Sequence, residues 1–283
     1  MTVTTPHDLV IAPRNVRFGK HEGRSRLWMG GNTFATAWHN ALSVVFPAGE
    51  TFFIEVMQPF RNAAPQPLSE QIAAFVRQEA FHTREHNVFN DRLKAEGYDL
   101  SETEAWMEAT LAKARARHPV VQLSVTTALE HFTAIFAHLT LKHPEIYAGT
   151  SDEARGLWMW HAIEEVEHKG VAYDTFMHVT RTMWAGNRWL MRNLVFLQVT
   201  WAFLTRRWGE TLRLLEQDDI VGLRARFGLF AYLWLYPGIL RRVSLSWAAY
   251  LAPSFHPWQR DDRNLIADAQ RRYGLTPENG WSR

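Results

Sequence analysis

Gln78-Glu-Ala-Phe-His82 and Trp160-His-Ala-Ile-Glu-Glu-Val-Glu-His168 are the stretches whose reading decides the fold. Each contains Glu-x-x-His, as Glu79 with His82 and as Glu165 with His168. Residues three apart on an α-helix share a face, so each motif offers a carboxylate and an imidazole to one point. A single copy is a common accident of helix surfaces; two copies on two helices are more specific. Further acids lie on the helices ahead of each motif. Glu130 sits in Thr126-Thr-Ala-Leu-Glu-His-Phe-Thr-Ala-Ile-Phe136, an apolar run in which an unpaired carboxylate is costly to bury. Before the first motif stand Glu50 and Glu55. An antiparallel hairpin of long helices juxtaposes residues roughly thirty apart, which favours Glu50 and leaves Glu55 as the alternative.

Two more histidines fall on the same faces. His161 lies four residues before Glu165, in line with Glu165 and His168, and reads as a further ligand. His86 follows His82 by four and divides evenly between ligand and supporting residue. His131, beside Glu130, is a further member of the His cluster. His82-Thr-Arg-Glu85-His86 also spells H-x-x-E-H, the inverted zinc-peptidase pattern, with Glu164 or Glu165 as third ligand. That reading ranks lower, because it leaves Glu79, Glu130, His161 and His168 without a role.

Composition narrows the chemistry. The chain has 283 residues, 47% apolar and 21% charged, which is globular. It has no cysteine, which excludes disulfides, thiolate zinc sites, iron–sulfur clusters and cysteine nucleophiles. Any metal must therefore be held by His and carboxylate, which suits iron or manganese. The N-terminus lacks an apolar signal segment. A cytoplasmic location is expected, or one peripheral to the inner membrane face.

Periodicity predicts helix nearly throughout, hence an all-α chain. Expected helices cover about 33–60, kinked at Pro47-Ala-Gly49, then 68–96 and 101–117, the latter opened by a Ser101/Glu104 capping box. Others cover 119–142, 151–183 and, after breaks near Asp218-Asp219 and Pro237, 261–273. Residues 1–183 are expected to form a metal-binding bundle and residues 184–283 an extension packed on it. The extension carries 14 Arg, 8 acids, no Lys and 8 of the 13 Trp. Trp184, Trp189, Trp201, Trp208, Trp234 and Trp247 are expected to be core or helix-packing residues. The sharper alternative is that these helices cap the bundle and form an apolar substrate channel, or contact a membrane through Arg206, Arg207, Arg241 and Arg242. Arginines scattered among Leu, Phe and Trp do not read as a nucleic-acid surface.

The set Glu50, Glu79-x-x-His82, Glu130 and Glu165-x-x-His168 resembles the ferritin-like di-iron-carboxylate superfamily over about residues 40–175. The added His161 resembles the arylamine N-oxygenase branch. Phe46-Pro-Ala-Gly-Glu50, Gln78-Glu-Ala-Phe-His82 and Trp160-His-Ala-Ile-Glu-Glu-Val-Glu-His-Lys169 are similar to a bacterial family labelled "predicted metal-dependent hydrolase". The resemblance implies a ferritin-like four-helix bundle with a dinuclear site and a C-terminal helical extension. It implies two iron ions, with manganese as substitute, held by Glu50, Glu79, His82, Glu130, His161, Glu165 and His168. Glu164 would orient His82, and Glu164 and His86 are the candidate catalytic residues. Gln78 departs from the Asp usual at its position. His86 stands where a radical-generating reductase subunit would carry Tyr. The implied activity is O2-dependent oxidation of a small or lipophilic substrate, with O2 and an electron donor as partners. The alternatives are a hydrolase with a dinuclear or H-x-x-E-H zinc site, and a non-catalytic storage bundle. Nucleic acid is not an expected partner; a homodimer is.

Overall fold

The computed structural model describes residues 4–19 and 25–275. Of the expected units 1–183 and 184–283, residues 1–3, 20–24 and 276–283 lie outside the described residues. All regular elements among the described residues are helical: α1 (Thr33–Ser43), α2 (Phe46–Met57), α3 (Leu68–Ala95), α4 (Ser101–Arg115), α5 (Pro119–Lys142), α6 (Asp152–His168), α7 (Val171–Val179), α8 (Ala185–Glu216), α9 (Gly222–Phe230), α10 (Ile239–Ala249) and α11 (Arg263–Tyr273).

Local chemistry sets the helix ends. Asn32 caps α1 by accepting from the Ala35 N–H, and Ser151 caps α6 by accepting from Ala154. The helix expected over 33–60 is two helices. Pro47 starts α2 in its first turn, where the missing N–H costs nothing, and does not kink a continuous helix. The helix expected over 151–183 breaks at Lys169-Gly170. A Cβ on Gly170 would collide with the Thr5 hydroxyl and with the Trp258 ring. The Ser101/Glu104 capping box does not form. The Asp99 carboxylate accepts from Ser101 N–H at 2.9 Å, and Glu104 pairs with Lys94 at 2.6 Å.

Two antiparallel hairpins, α2–α3 and α5–α6, pack face to face through α2–α5 and α3–α6 contacts. This is a helical bundle, with α7 closing against α3 and α5. α8 crosses α1 and α5, while α10 lies on α5 and α11 on α6. α5 is thereby enclosed. Among the described residues it is also the one helix long and apolar enough to cross a membrane, and most of its apolar window is buried inside the bundle.

The C-terminal helices are joined to the bundle by an aromatic stack. Phe196 of α8 lies 4.1 Å from Tyr250 and 5.6 Å from Phe132, centroid to centroid. The buried Arg192 guanidinium donates to the Tyr173 hydroxyl, Tyr250 O and Ala252 O at 2.7–2.9 Å. Of the tryptophans expected in the core or between helices, Trp208 and Trp247 pack half-buried against the core, whereas Trp184 and Trp201 are each 73% exposed and Trp189 and Trp234 are exposed. The core tryptophans are Trp28, Trp38, Trp158, Trp160 and Trp258. Helical spacing does not say which apolar residues a helix buries: on α8, Phe196 is buried and Trp201 is exposed.

Truncating Phe196 to Ala should cost about 3–5 kcal/mol, as for other buried aromatics, while Trp201→Ala should stay within about 0.5 kcal/mol. Urea denaturation of the two variants checks this contrast.

Candidate metal centre

The bundle brings the expected residues together. Glu50 comes from α2, Glu79 and His82 from α3, Glu130 from α5, and His161, Glu165 and His168 from α6, all of them buried. Four overlapping triads form among these residues and His86, with candidate ligand atoms in each within 4.8 Å of one another. His168 Nε2 lies 3.2 Å from Glu79, 3.3 Å from Glu130 and 3.5 Å from Glu165. His82 Nδ1 lies 3.8 Å from Glu79 and 3.5 Å from Glu165. His161 Nε2 lies 2.9 Å from Glu165 and 3.9 Å from Glu50.

Glu55 is excluded from the cluster. Five residues along α2 from Glu50, it faces outward and pairs with Arg115 at 2.6 Å. His131 also points away. Its Nε2 bonds Ser246 O at 3.0 Å, and its ring packs on Tyr250 and Phe255. Glu85 of the H-x-x-E-H pattern accepts from Phe18 N–H at 2.7 Å and Arg84 at 2.5 Å, so it does not join the cluster.

The hydrogen-bond network fixes which nitrogen of each His faces inward. His82 Nε2–H donates to Glu164 at 3.0 Å, leaving Nδ1 toward the cluster. His168 Nδ1–H donates to Gln78 Oε1 at 2.9 Å, leaving Nε2 inward. The arrangement is reciprocal: each hairpin's residue before its motif Glu orients the other hairpin's His. His161 is set by a relay. Asn90 Nδ2 donates to Ser43 O, so its Oδ1 accepts from the Ser43 hydroxyl at 2.8 Å. Ser43 Oγ also bonds His86 Nδ1 at 2.8 Å, and His86 Nε2 bonds His161 Nδ1 at 2.7 Å. His161 Nε2 is thereby turned inward, where it hydrogen-bonds Glu165 at 2.9 Å and lies 3.9 Å from Glu50. Burial, with His161 as neighbour, pushes His86 well down; burial, with His82 nearby, pushes His161 down to about 4, so both rings are neutral.

The cluster is electrostatically unfinished. Both carboxylate oxygens of Glu50, Glu79 and Glu130, one of Glu165, His82 Nδ1 and His168 Nε2 are buried without a hydrogen-bond partner. Burial raises Glu50 and Glu79, with neighbouring carboxylates adding to it, and burial raises Glu130 to about 8. Burial would raise Glu165 as well, but His168, His161 and His82 hold it well below the usual range. Burial opposes charge on His82 and His168, yet their carboxylate neighbours hold both well above the usual imidazole value. The four carboxylates and three imidazoles of this cluster fit two divalent cations in charge and donor type, with no thiolate in the set.

Residues that motif reading missed complete the surroundings. Arg14, from the N-terminal segment, pairs with Glu167 at 2.5 Å and donates to Glu164 through its backbone N–H at 2.7 Å. Gln78 Nε2 donates to Glu167 at 2.9 Å. An Asp at position 78 would set two carboxylates against each other there, which accounts for the Gln. No sequence signal links Arg14 to residues some 150 positions away. An apolar cavity of about 240 Å³ opens from the cluster, with Glu50, His161 and Glu165 among its lining and Trp106, Ala202 and Arg206 toward the surface.

The family model described as "predicted metal-dependent hydrolase" matches residues 12–261. The chain belongs to the predicted metal-dependent hydrolase family. No curated protein and no solved structure matches it. The family match spans the N-terminal segment with Arg14, all four bundle helices of the site, and α8 through α10.

For this family member, metal uptake should release protons, because raised carboxylates and imidazolium groups must deprotonate to bind. Apparent affinity should therefore climb as pH rises toward about 8, where Glu130 titrates. Calorimetry in buffers of different ionisation enthalpy reads the proton release. Gln78→Leu should lower metal affinity by roughly 10–100-fold through loss of the His168 anchor, measured by chelator competition.

Proposed function

We propose that this chain is a ferritin-like dinuclear iron enzyme that uses O2 to oxidise a lipophilic small molecule, with manganese as the substitute metal. The observation that carries the reading is the unpaired cluster of hard donors opening onto an apolar cavity. Glu50, Glu79, His82, Glu130, His161, Glu165 and His168 are assigned as ligands. When bound, the two ions would supply electrons for O2 reduction, and an external electron donor would restore them.

The chain's own residues do the rest. Phe46, 5.0 Å from the His161 ring and 4.8 Å from His86, packs against both rings at the inner end of the cavity. Phe53, Leu129, Phe132 and Phe136 line an apolar chamber that disfavours water and suits a hydrocarbon substrate. Glu164 acts by holding the His82 ring, and His86 by orienting the His161 ring; neither needs to touch substrate.

Hydrolysis is the second reading, favoured by the family's description. Two ions in the same ligand set would activate water, and the lipophilic cavity would take an ester or amide. The H-x-x-E-H version is not supported, since Glu85 is engaged elsewhere.

Metal analysis with O2 uptake by the reduced protein separates these readings. About two iron or manganese per chain, with O2 consumed on reduction, is expected. Glu130→Ala should abolish loading. One zinc per chain, or turnover indifferent to O2, would sink the oxidation reading in favour of hydrolysis.

A further inference from the structure

α8 and α9 carry the same exposed pattern. On α8, Leu190, Leu194, Leu197 and Trp201 recur at i, i+4, i+7 and i+11, all exposed. From α9 into the following turn, Leu223, Phe227, Phe230 and Trp234 repeat that spacing, also exposed. On α8 the stripe lies on a different face from the one that buries Arg192, Phe196, Thr200 and Arg207. Each stripe aligns four exposed apolar side chains along one helical line, unlike hydrophobics scattered singly over a surface.

The stretches that carry these stripes hold basic but no acidic residues, and Glu145 is an acid from elsewhere in the chain that lies near Arg242. No Asp or Glu occurs between Asp174 and Glu210, or between Asp219 and Asp261. Arg224, Arg226, Arg241 and Arg242 are exposed and form no ion pair among the described residues. Arg241 and Arg242 instead bond the carbonyls of Trp234, Leu235 and Pro237, holding their guanidinium groups beside the second stripe. Arg207, expected among lipid-facing residues, is not available. It is buried and donates to Ala41 O, with burial lowering its pKa to about 10.

We infer that the apolar stripes of α8 and α9, with their unpaired arginines, seat this protein on an anionic lipid surface. Apolar side chains in the acyl boundary with arginines at head-group level match the demands of that interface. A second copy of the chain fits less well. A two-fold pairing of these faces would bring arginines together with no acid in either stretch to offset them. The cavity lies favourably for this placement, because exposed Ala202 and Arg206 of α8 line it next to Trp201. The docking surface itself stands whichever reaction the metal centre performs.

The full chain should co-sediment with vesicles of phosphatidylglycerol and phosphatidylcholine and much less with phosphatidylcholine alone. Arg224→Gln with Arg226→Gln should weaken partitioning about five-fold per arginine, and Leu194→Gln with Leu197→Gln should weaken it further. Because the chain has no cysteine, Leu194→Cys or Phe227→Cys can carry a single polarity-sensitive dye. Its emission should shift to the blue on anionic vesicles, while a dye at exposed Asp91→Cys on α3 should not respond. No binding to anionic vesicles, or equal shifts at all three positions, overturns the inference. So does a concentration-dependent dimer in sedimentation that Leu194→Gln with Leu197→Gln abolishes, since that gives the face to a second copy.

Discussion

Four carboxylates buried at the centre of an apolar bundle are the constraint on which the rest depends. Glu50, Glu79, Glu130 and Glu165 come from four helices and meet where no side-chain or backbone donor among the described residues hydrogen-bonds most of their oxygens. Without cations, the cluster can persist only by holding protons, which is what the raised Glu50, Glu79 and Glu130 express. Helix packing and metal affinity are therefore one problem. The bundle places the acids close together, and cations offset the repulsion that this placement creates.

Around the cluster, charge alternates outward. Inner carboxylates face imidazoles; the imidazoles donate outward to Glu164 and Gln78; those in turn meet Arg14 and Glu167. Each step leaves a donor facing an acceptor. The one neutral member, Gln78, stands where a carboxylate would oppose Glu167. His161 is held by a different device, an uncharged relay through His86, Ser43 and Asn90. The first two imidazoles are thus made more basic by their surroundings than the third, and the three are not equivalent donors.

Much of this was legible in the sequence, and what was not has physical reasons. Glu-x-x-His is visible because helical periodicity turns spacing into direction, and Glu130 because an acid in an apolar run demands a partner. Glu50 could be preferred over Glu55 by hairpin length alone, and their five-residue offset on α2 sends Glu55 to Arg115. The breaks at Val44-Val45 and Lys169-Gly170 were less visible, since Pro47 reads equally as a kink or a start, and Gly170 as a tolerated helix residue. Its need for closeness comes from Thr5 and Trp258, distant in sequence. Arg14 was invisible for the same reason: nothing local marks an arginine for a site that another part of the chain builds.

The C-terminal helices carry this limit furthest. α8 needs an apolar face to cover α5, and Phe196, Thr200 and Phe203 supply it through the stack with Phe132 and Trp247. Coverage of α5 does not require the exposed stripe of Leu190, Leu194, Leu197 and Trp201. Periodicity registers both faces as hydrophobic and cannot say which one is buried. The charge pattern adds what periodicity lacks. Stretches without acids are not needed by a core, which is indifferent to the sign of distant surface charge, but they matter to a surface that meets something negative. The same helix that closes the bundle by one face, and lines the cavity by its Ala202–Arg206 turn, thereby presents the other face outward. Closure of the metal chamber and recognition of a surface are built into a single element, so changes to one face of α8 should be separable from changes to the other.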